Sequence, residues 1–155
     1  MTLNQKSQFY LEMIKRSHES FRDYLTHIPE DVLQWKAHEL MYSTSWLIEH
    51  VIHDQVWIAN IIVKDVEQEY HCEKKSEKMV LDDIVQEYDN MVSKVETDLQ
   101  VLTDEMLSEL RTSKGYSLTV EDWIFEYIHH LHQHGGEIGY ILTVWKRKRR
   151  ALQDD

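Results

Sequence analysis

Ten of the 155 residues are histidine, and three of these sit where helical spacing would bring their nitrogens together. His130 and His134 are four positions apart. On an α-helix such positions share one face, the spacing by which a helix offers two imidazoles to a single cation. Tyr127, Leu131, Ile138, Ile141 and Trp145 form the apolar stripe of this segment. His134 lies at the centre of that stripe, with His130 one turn back and about 40° away around the axis. His129 and His132 fall on the opposite, solvated side. A second apolar stripe passes through Trp46, Leu47, Trp57 and Ile61, with His50 at its middle, Asp54 one turn further on and His53 at its edge. If two helix midpoints meet, His50, His130 and His134 supply three neutral nitrogen ligands. Three protein ligands leave coordination positions for water or substrate, as in a catalytic metal site. A histidine on an apolar face is also commonly a hydrogen-bonded core residue. Spacing by itself leaves the metal site and the satisfied core cluster both open.

The elements that must carry these residues read as helices. A first helix is predicted over Gln5–Thr26, with Tyr10, Ile14, Phe21 and Leu25 on one face. Pro29 starts a short helical piece over residues 30–37. Ser43 is a good N-cap for a second long helix, which fades in the charged residues 65–78. A third helix is expected over residues 81–102, with Ile84, Tyr88, Met91, Val95 and Leu102 facing inward, followed by a helical turn over residues 104–110. Residues 111–118, with Gly115, read as a loop. Thr119-Val-Glu-Asp122 has the form of a capping box and opens a last helix over residues 120–149. Four long amphipathic helices make an all-α four-helix bundle the natural architecture.

Composition narrows the class further. The length fits a single domain over residues 1–155, large enough to bury a core without disulfides. With 4 Gly and 1 Pro, the chain lacks the turn residues an all-β domain needs. The one cysteine, Cys72, excludes a disulfide framework or thiolate zinc cluster and fits a reducing, cytoplasmic setting. A formal net charge of −11 disfavours nucleic acid. No apolar run is long enough for a membrane span, and the N-terminal residues lack the blocks of a signal peptide.

Other candidates carry weaker signals. Glu126 and His129 have the Glu-x-x-His spacing of di-iron bundles, but His129 points outward and no second such motif exists. His18 reads as a boundary residue beside the first helix's stripe, and Cys72, next to His71, as an exposed thiol. The basic run Lys146-Arg-Lys-Arg-Arg150 reads as a solvated helix end whose cations complement the dipole. Trp46 and Trp57 flank His50 and suit a pocket wall as well as a core. Gly135, Gly136 and Gly139 follow the histidines directly, facing away from them. Glycine inside a helix costs about 0.5–1 kcal/mol relative to alanine, so close approach of another helix or subunit, or a local kink, is expected there, with a tight backbone contact on the outer side the preferred reading.

Ser43-Thr-Ser-Trp-Leu-Ile-Glu-His50, followed by His130-Leu-His-Gln-His134-Gly-Gly-Glu137, resembles the DinB/YfiT-like superfamily of metalloenzymes. The likeness extends over helix order, length and the Thr119-Val-Glu-Asp-Trp123 start of the last helix. Two positions depart from the family pattern: Gly135 stands where Arg is common, and Glu137 where Gln is common. The resemblance implies a divalent metal, nickel or zinc, held by His50, His130 and His134. Beside it, the chain's own carboxylates Asp54 and Glu137 are candidates to orient an imidazole or serve as base. The resemblance implies a homodimer in many members and does not imply DNA binding; a small-molecule substrate is expected. The best understood relatives are transferases or isomerases that use low-molecular-weight thiols such as bacillithiol or mycothiol. A metal-stabilised bundle that binds a partner without catalysis is the alternative.

Overall fold

The computed structural model describes residues 5–66, 68, 70, 72 and 75–152; His71 lies outside them. Among these residues four α-helices form the body: α1 (Gln5–Thr26), α2 (Thr44–Lys64), α3 (Leu81–Asp98) and α4 (Val120–Ala151). Each of α1 and α2 packs against both α3 and α4, so α1 and α2 stand diagonally across the bundle. The connection between them therefore crosses one end of the bundle, anchored by the buried residues Ile28, Val32 and Leu33.

Local chemistry fixes the two helices that carry the histidines. Ser43 caps α2, its Oγ accepting from the Trp46 backbone N–H at 3.3 Å. That bond satisfies one of the orphan donors of the first turn. Thr119 and Asp122 form a reciprocal capping box at the start of α4, with the Asp122 N–H donating to Thr119 Oγ1 at 3.1 Å. The apolar stripes then set the rotation. Ile48, Val51, Ile52 and Ile62 of α2 and Ile124, Tyr127, Leu131 and Ile138 of α4 are buried. Turning those faces inward carries His50, His130 and His134 toward one another.

The segment read as a loop is instead an antiparallel hairpin, β1 (Leu110–Ser113) and β2 (Tyr116–Thr119), paired from Leu110↔Thr119 to Ser113↔Tyr116. Its two-residue turn, Lys114-Gly115, has φ of 48° and 83°. Positive φ at both positions matches the twist of a tight hairpin, and glycine takes it without steric cost. Trp123 Nε1 donates to the Arg111 carbonyl at 3.2 Å and ties the hairpin to α4. The third helix ends as an α-helix at Asp98 and tightens into a 3-10 turn over Leu99–Val101.

Two further expectations need correction. His18 is a core residue, 2% exposed, and not a boundary one. Its Nδ1 lies 3.0 Å from Glu96 Oε1 and its Nε2 2.7 Å from the Tyr127 hydroxyl, so α1, α3 and α4 all meet at one ring. Among the described residues the glycines of α4 make no tight contact, so close approach of another helix of this chain is not their reason. A Cβ on Gly135 would rest 3.7 Å from Phe21 and 3.8 Å from Tyr24, an ordinary distance, and one on Gly136 or Gly139 would meet nothing within 4 Å.

Candidate metal centre

α2 and α4 bring His50, His130 and His134 together. One ligand atom from each lies within 4.8 Å of the others. His130 Nε2 stands 3.2 Å from His50 Nε2 and 3.2 Å from His134 Nε2, so the rings point edge-first at a common centre. Like nitrogen atoms at that spacing, with their lone pairs converging, fit a shared cation. His134 is buried, and His50 and His130 are half-buried. His129 and His132 are exposed on the far side of α4. His132 Nε2 there lies 3.4 Å from Ser17 Oγ.

Carboxylates approach this centre from two sides. Asp54 Oδ2 lies 3.4 Å from His130 Nε2 and 3.7 Å from His50 Nε2, on the converging side of the rings. Burial pushes the Asp54 carboxyl up, but the His130 hydrogen bond and the fields of His50, His130 and Lys114 outweigh it and hold the pKa below its ordinary value. Glu137 acts from behind: its Oε2 is 2.8 Å from His134 Nδ1. A carboxylate there accepts the Nδ1 proton and leaves Nε2 bare toward the centre. Burial, with neighbouring His130 and His134, lowers the His50 pKa despite Asp54 and so favours its neutral, ligating form.

Trp46 lies almost parallel to His50, and Tyr42 stacks on Trp46 with ring centroids 3.7 Å apart. Beside this stack a cavity of about 570 Å³ opens between Tyr42, Leu47, Gln133, Glu137, Tyr140 and Ile141. Glu137 thus touches both the cavity and a candidate ligand. Trp57 lies on the other side of His50 along α2, edge-on to Trp123 and covered by the Lys114 ammonium at 3.9 Å from its ring centre.

The remaining sequence candidates lie elsewhere. His53 Nε2 accepts from the Cys72 backbone N–H at 3.4 Å. Cys72 is half-buried and not exposed; burial, then Glu87 and Glu49, push its thiol up to about 12, so it remains protonated at neutral pH. Glu126 is exposed. Sequence reasoning missed Gln55, a fully buried amide whose Nε2 lies 3.2 Å from His130 Nδ1. Its signal was a polar side chain amid the apolar run of α2, one turn past Val51.

A four-helix bundle with inward histidines at the middle of two helices defines a class that builds metal sites in the bundle interior. The sequence profile of the DinB superfamily matches residues 13–138, and the chain belongs to that superfamily. Its fold is similar to a DinB-like protein from Bacillus cereus (16% identity, 86% of this chain and 89% of that one, TM-score 0.73). It is similar also to YfiT from Bacillus subtilis, described as a probable metal-dependent hydrolase with an unusual four-helix bundle topology (12% identity, 96% and 90% coverage, TM-score 0.67). A third similar structure is the mycothiol-dependent maleylpyruvate isomerase (12% identity, 86% of this chain and 60% of that one, TM-score 0.68). No curated protein sequence matches the chain significantly. Among the described residues, no helix is long and apolar enough to cross a membrane.

Proposed function

We propose that the chain is a metal-dependent enzyme that binds a divalent cation, nickel or zinc, through His50, His130 and His134. The observation that carries this reading is the convergence of three imidazole nitrogens within 4.8 Å, with His130 Nε2 3.2 Å from the Nε2 of both His50 and His134 and an acceptor already placed behind His134. Bound there, a divalent cation supplies Lewis acidity that lowers the pKa of a thiol or water.

The finer reading is a low-molecular-weight-thiol-dependent S-transferase of the bacillithiol type. The thiol dependence of the similar isomerase supports it. Asp54, ionised and on the converging side, takes the thiol proton at Oδ2. The sulfur lone pair forms the new C–S bond, and the leaving group departs with the pair of the bond that breaks. The cavity beside Glu137 holds the body of a small-molecule electrophile. A single domain and a cytoplasmic homodimer complete this reading, supported by the chain's length, its lone cysteine and the family likeness.

The same Asp54 favours a second reading. If its carboxylate closes the centre as a fourth ligand, the bundle is a metal-stabilised binding module without an open position.

Metal analysis of untagged protein tests the first claim. We expect about one equivalent per chain, by the three-ligand rule for such sites. That content should vanish in His130→Ala and persist when His129 and His132 are both replaced by Gln. Full occupancy in His130→Ala removes the ligand assignment. Adding a thiol to cobalt-loaded protein separates the two readings: sulfur-to-metal charge-transfer absorption requires an open position.

A further inference from the structure

The histidines of the centre belong to a longer chain of hydrogen-bonding groups, and its direction can be read from the chemistry of its ends. At one end Glu137 Oε2, 2.8 Å from His134 Nδ1, is an acceptor. His134 therefore carries its proton on Nδ1 and presents a bare Nε2. At the other end Gln55 Nε2 lies 3.3 Å from the Tyr127 carbonyl and 3.2 Å from His130 Nδ1. An amide nitrogen only donates, so His130 Nδ1 accepts and His130 holds its proton on Nε2. That proton faces His134 Nε2 and His50 Nε2, each 3.2 Å away, and Asp54 Oδ2 at 3.4 Å. Without a cation Gln55 donates to His130, the His130 Nε2 proton is shared among His50, His134 and Asp54, and His134 donates onward to Glu137.

One atom stands outside this order. Gln55 Oε1 is fully buried and has no hydrogen-bond partner among the described residues. An orphaned buried acceptor is costly and calls for a reason. A cation bound by three Nε2 atoms must displace the proton on His130 Nε2, and His130 must then carry its proton on Nδ1. A donor amide facing Nδ1 opposes that state; an acceptor favours it. Rotating the Gln55 amide by half a turn places Oε1 there, provided the amide also swings clear of the Tyr127 carbonyl oxygen, an acceptor that Nε2 now meets at 3.3 Å. The bond given up is to the Tyr127 carbonyl, which lies inside α4 and has a helical donor of its own.

We propose that Gln55 is a positioning residue for His130: its amide holds the ring as the Nε2–H tautomer in the metal-free protein and turns to accept the Nδ1 proton when a divalent cation binds. The ring keeps one proton throughout: the Nε2 proton leaves to solvent as the cation takes its place, and a proton from solvent is taken up at Nδ1. This rests on the metal reading above.

Two measurements test it, neither of which requires a substrate. Side-chain ¹⁵N–¹H correlation spectra of the wild-type protein report the His130 tautomer directly. We expect the proton on Nε2 without metal and on Nδ1 with zinc. A metal-free wild type already protonated on Nδ1 overturns the proposal, and needs no variant to fold. Zinc affinity by chelator competition is the second measurement. Gln55→Met, which has no acceptor, should bind about 10–100-fold more weakly, the range for loss of a hydrogen bond to a ligating imidazole. Gln55→Glu, which only accepts, should recover near wild-type affinity. Unchanged zinc affinity and His130 signals in Gln55→Met overturn the proposal while leaving the ligand assignment standing. A wild type that takes up no zinc removes both.

Discussion

The indole of Trp46 lies against the imidazole of His50, with ring centroids 5.2 Å apart and planes inclined by 14°. The two residues are four apart on α2, so helical spacing sets the contact and the Ser43 cap fixes where that helix starts. A paramagnetic ion at His50 would therefore sit within one ring's width of this indole. Cobalt(II) should quench the protein's fluorescence. Trp46→Phe should lose the largest share of that quench while still binding metal, because Phe preserves the stacking surface. An unchanged quench in Trp46→Phe would place the metal away from His50.

Glu137 offers a graded test of how a ligand is held. Its carboxylate fixes the tautomer that turns His134 Nε2 toward the centre. Glu137→Ala should weaken zinc binding by roughly 10–100-fold, as expected for loss of such a partner. Glu137→Gln retains an amide oxygen able to accept the same proton and should lose much less. Isothermal titration of the metal-free protein distinguishes the two. Equal losses would mean that the Glu137 charge, and not its acceptor geometry, is what matters.

The long helices were legible because their signals are local. Ser43 and the Thr119–Asp122 box are caps written within four residues, and the stripes of α2 and α4 repeat at helical period. The inward direction of His134 and the outward direction of His129 follow from those stripes by rotation alone. What the sequence hid depends on contacts between elements. The β1–β2 hairpin has four-residue strands with no clean alternation, and its first turn residue is Lys114 where Asn or Gly is the usual signal. His18 reads as a boundary residue on α1 because Glu96 and Tyr127, which satisfy it, arrive from α3 and α4. Gln55 is similar: only the approach of α4 turns a buried amide into a partner for His130.

His18 gives the bundle a pH dependence of its own. Burial lowers its pKa below the ordinary 6.5, against the opposing pull of Glu96. The unfolded chain thus takes up the proton at a higher pH than the folded one. The stability contributed by the neutral ring is full above about 6.5, the ordinary histidine value, and is lost as pH falls toward the lowered folded value. Urea midpoints of wild type should drop between pH 7 and pH 5 by more than those of His18→Gln. His50 is present in both proteins and cancels in the comparison. Parallel pH profiles would show that His18 is not the group responsible.

The glycines after His134 test the proposed homodimer from the opposite direction. Among the described residues, a methyl group on Gly136 or Gly139 would meet no atom within 4 Å beyond its own turn of helix. Both lie well inside α4, where alanine restricts the unfolded chain and favours helix. For an isolated chain, Gly136→Ala and Gly139→Ala should each add about 0.5–1 kcal/mol of stability. The gain should appear in urea midpoints at constant protein concentration. A dimer that packs backbone closely against this stretch of α4 reverses the sign, because the added methyl then meets the partner. We expect the stabilising result, with sedimentation at micromolar concentration still giving about twice the chain mass of 18.7 kDa in both variants. Destabilisation together with dissociation would place the subunit contact on these glycines. A monomer in the wild type itself would remove the homodimer and leave the glycines without a structural reason.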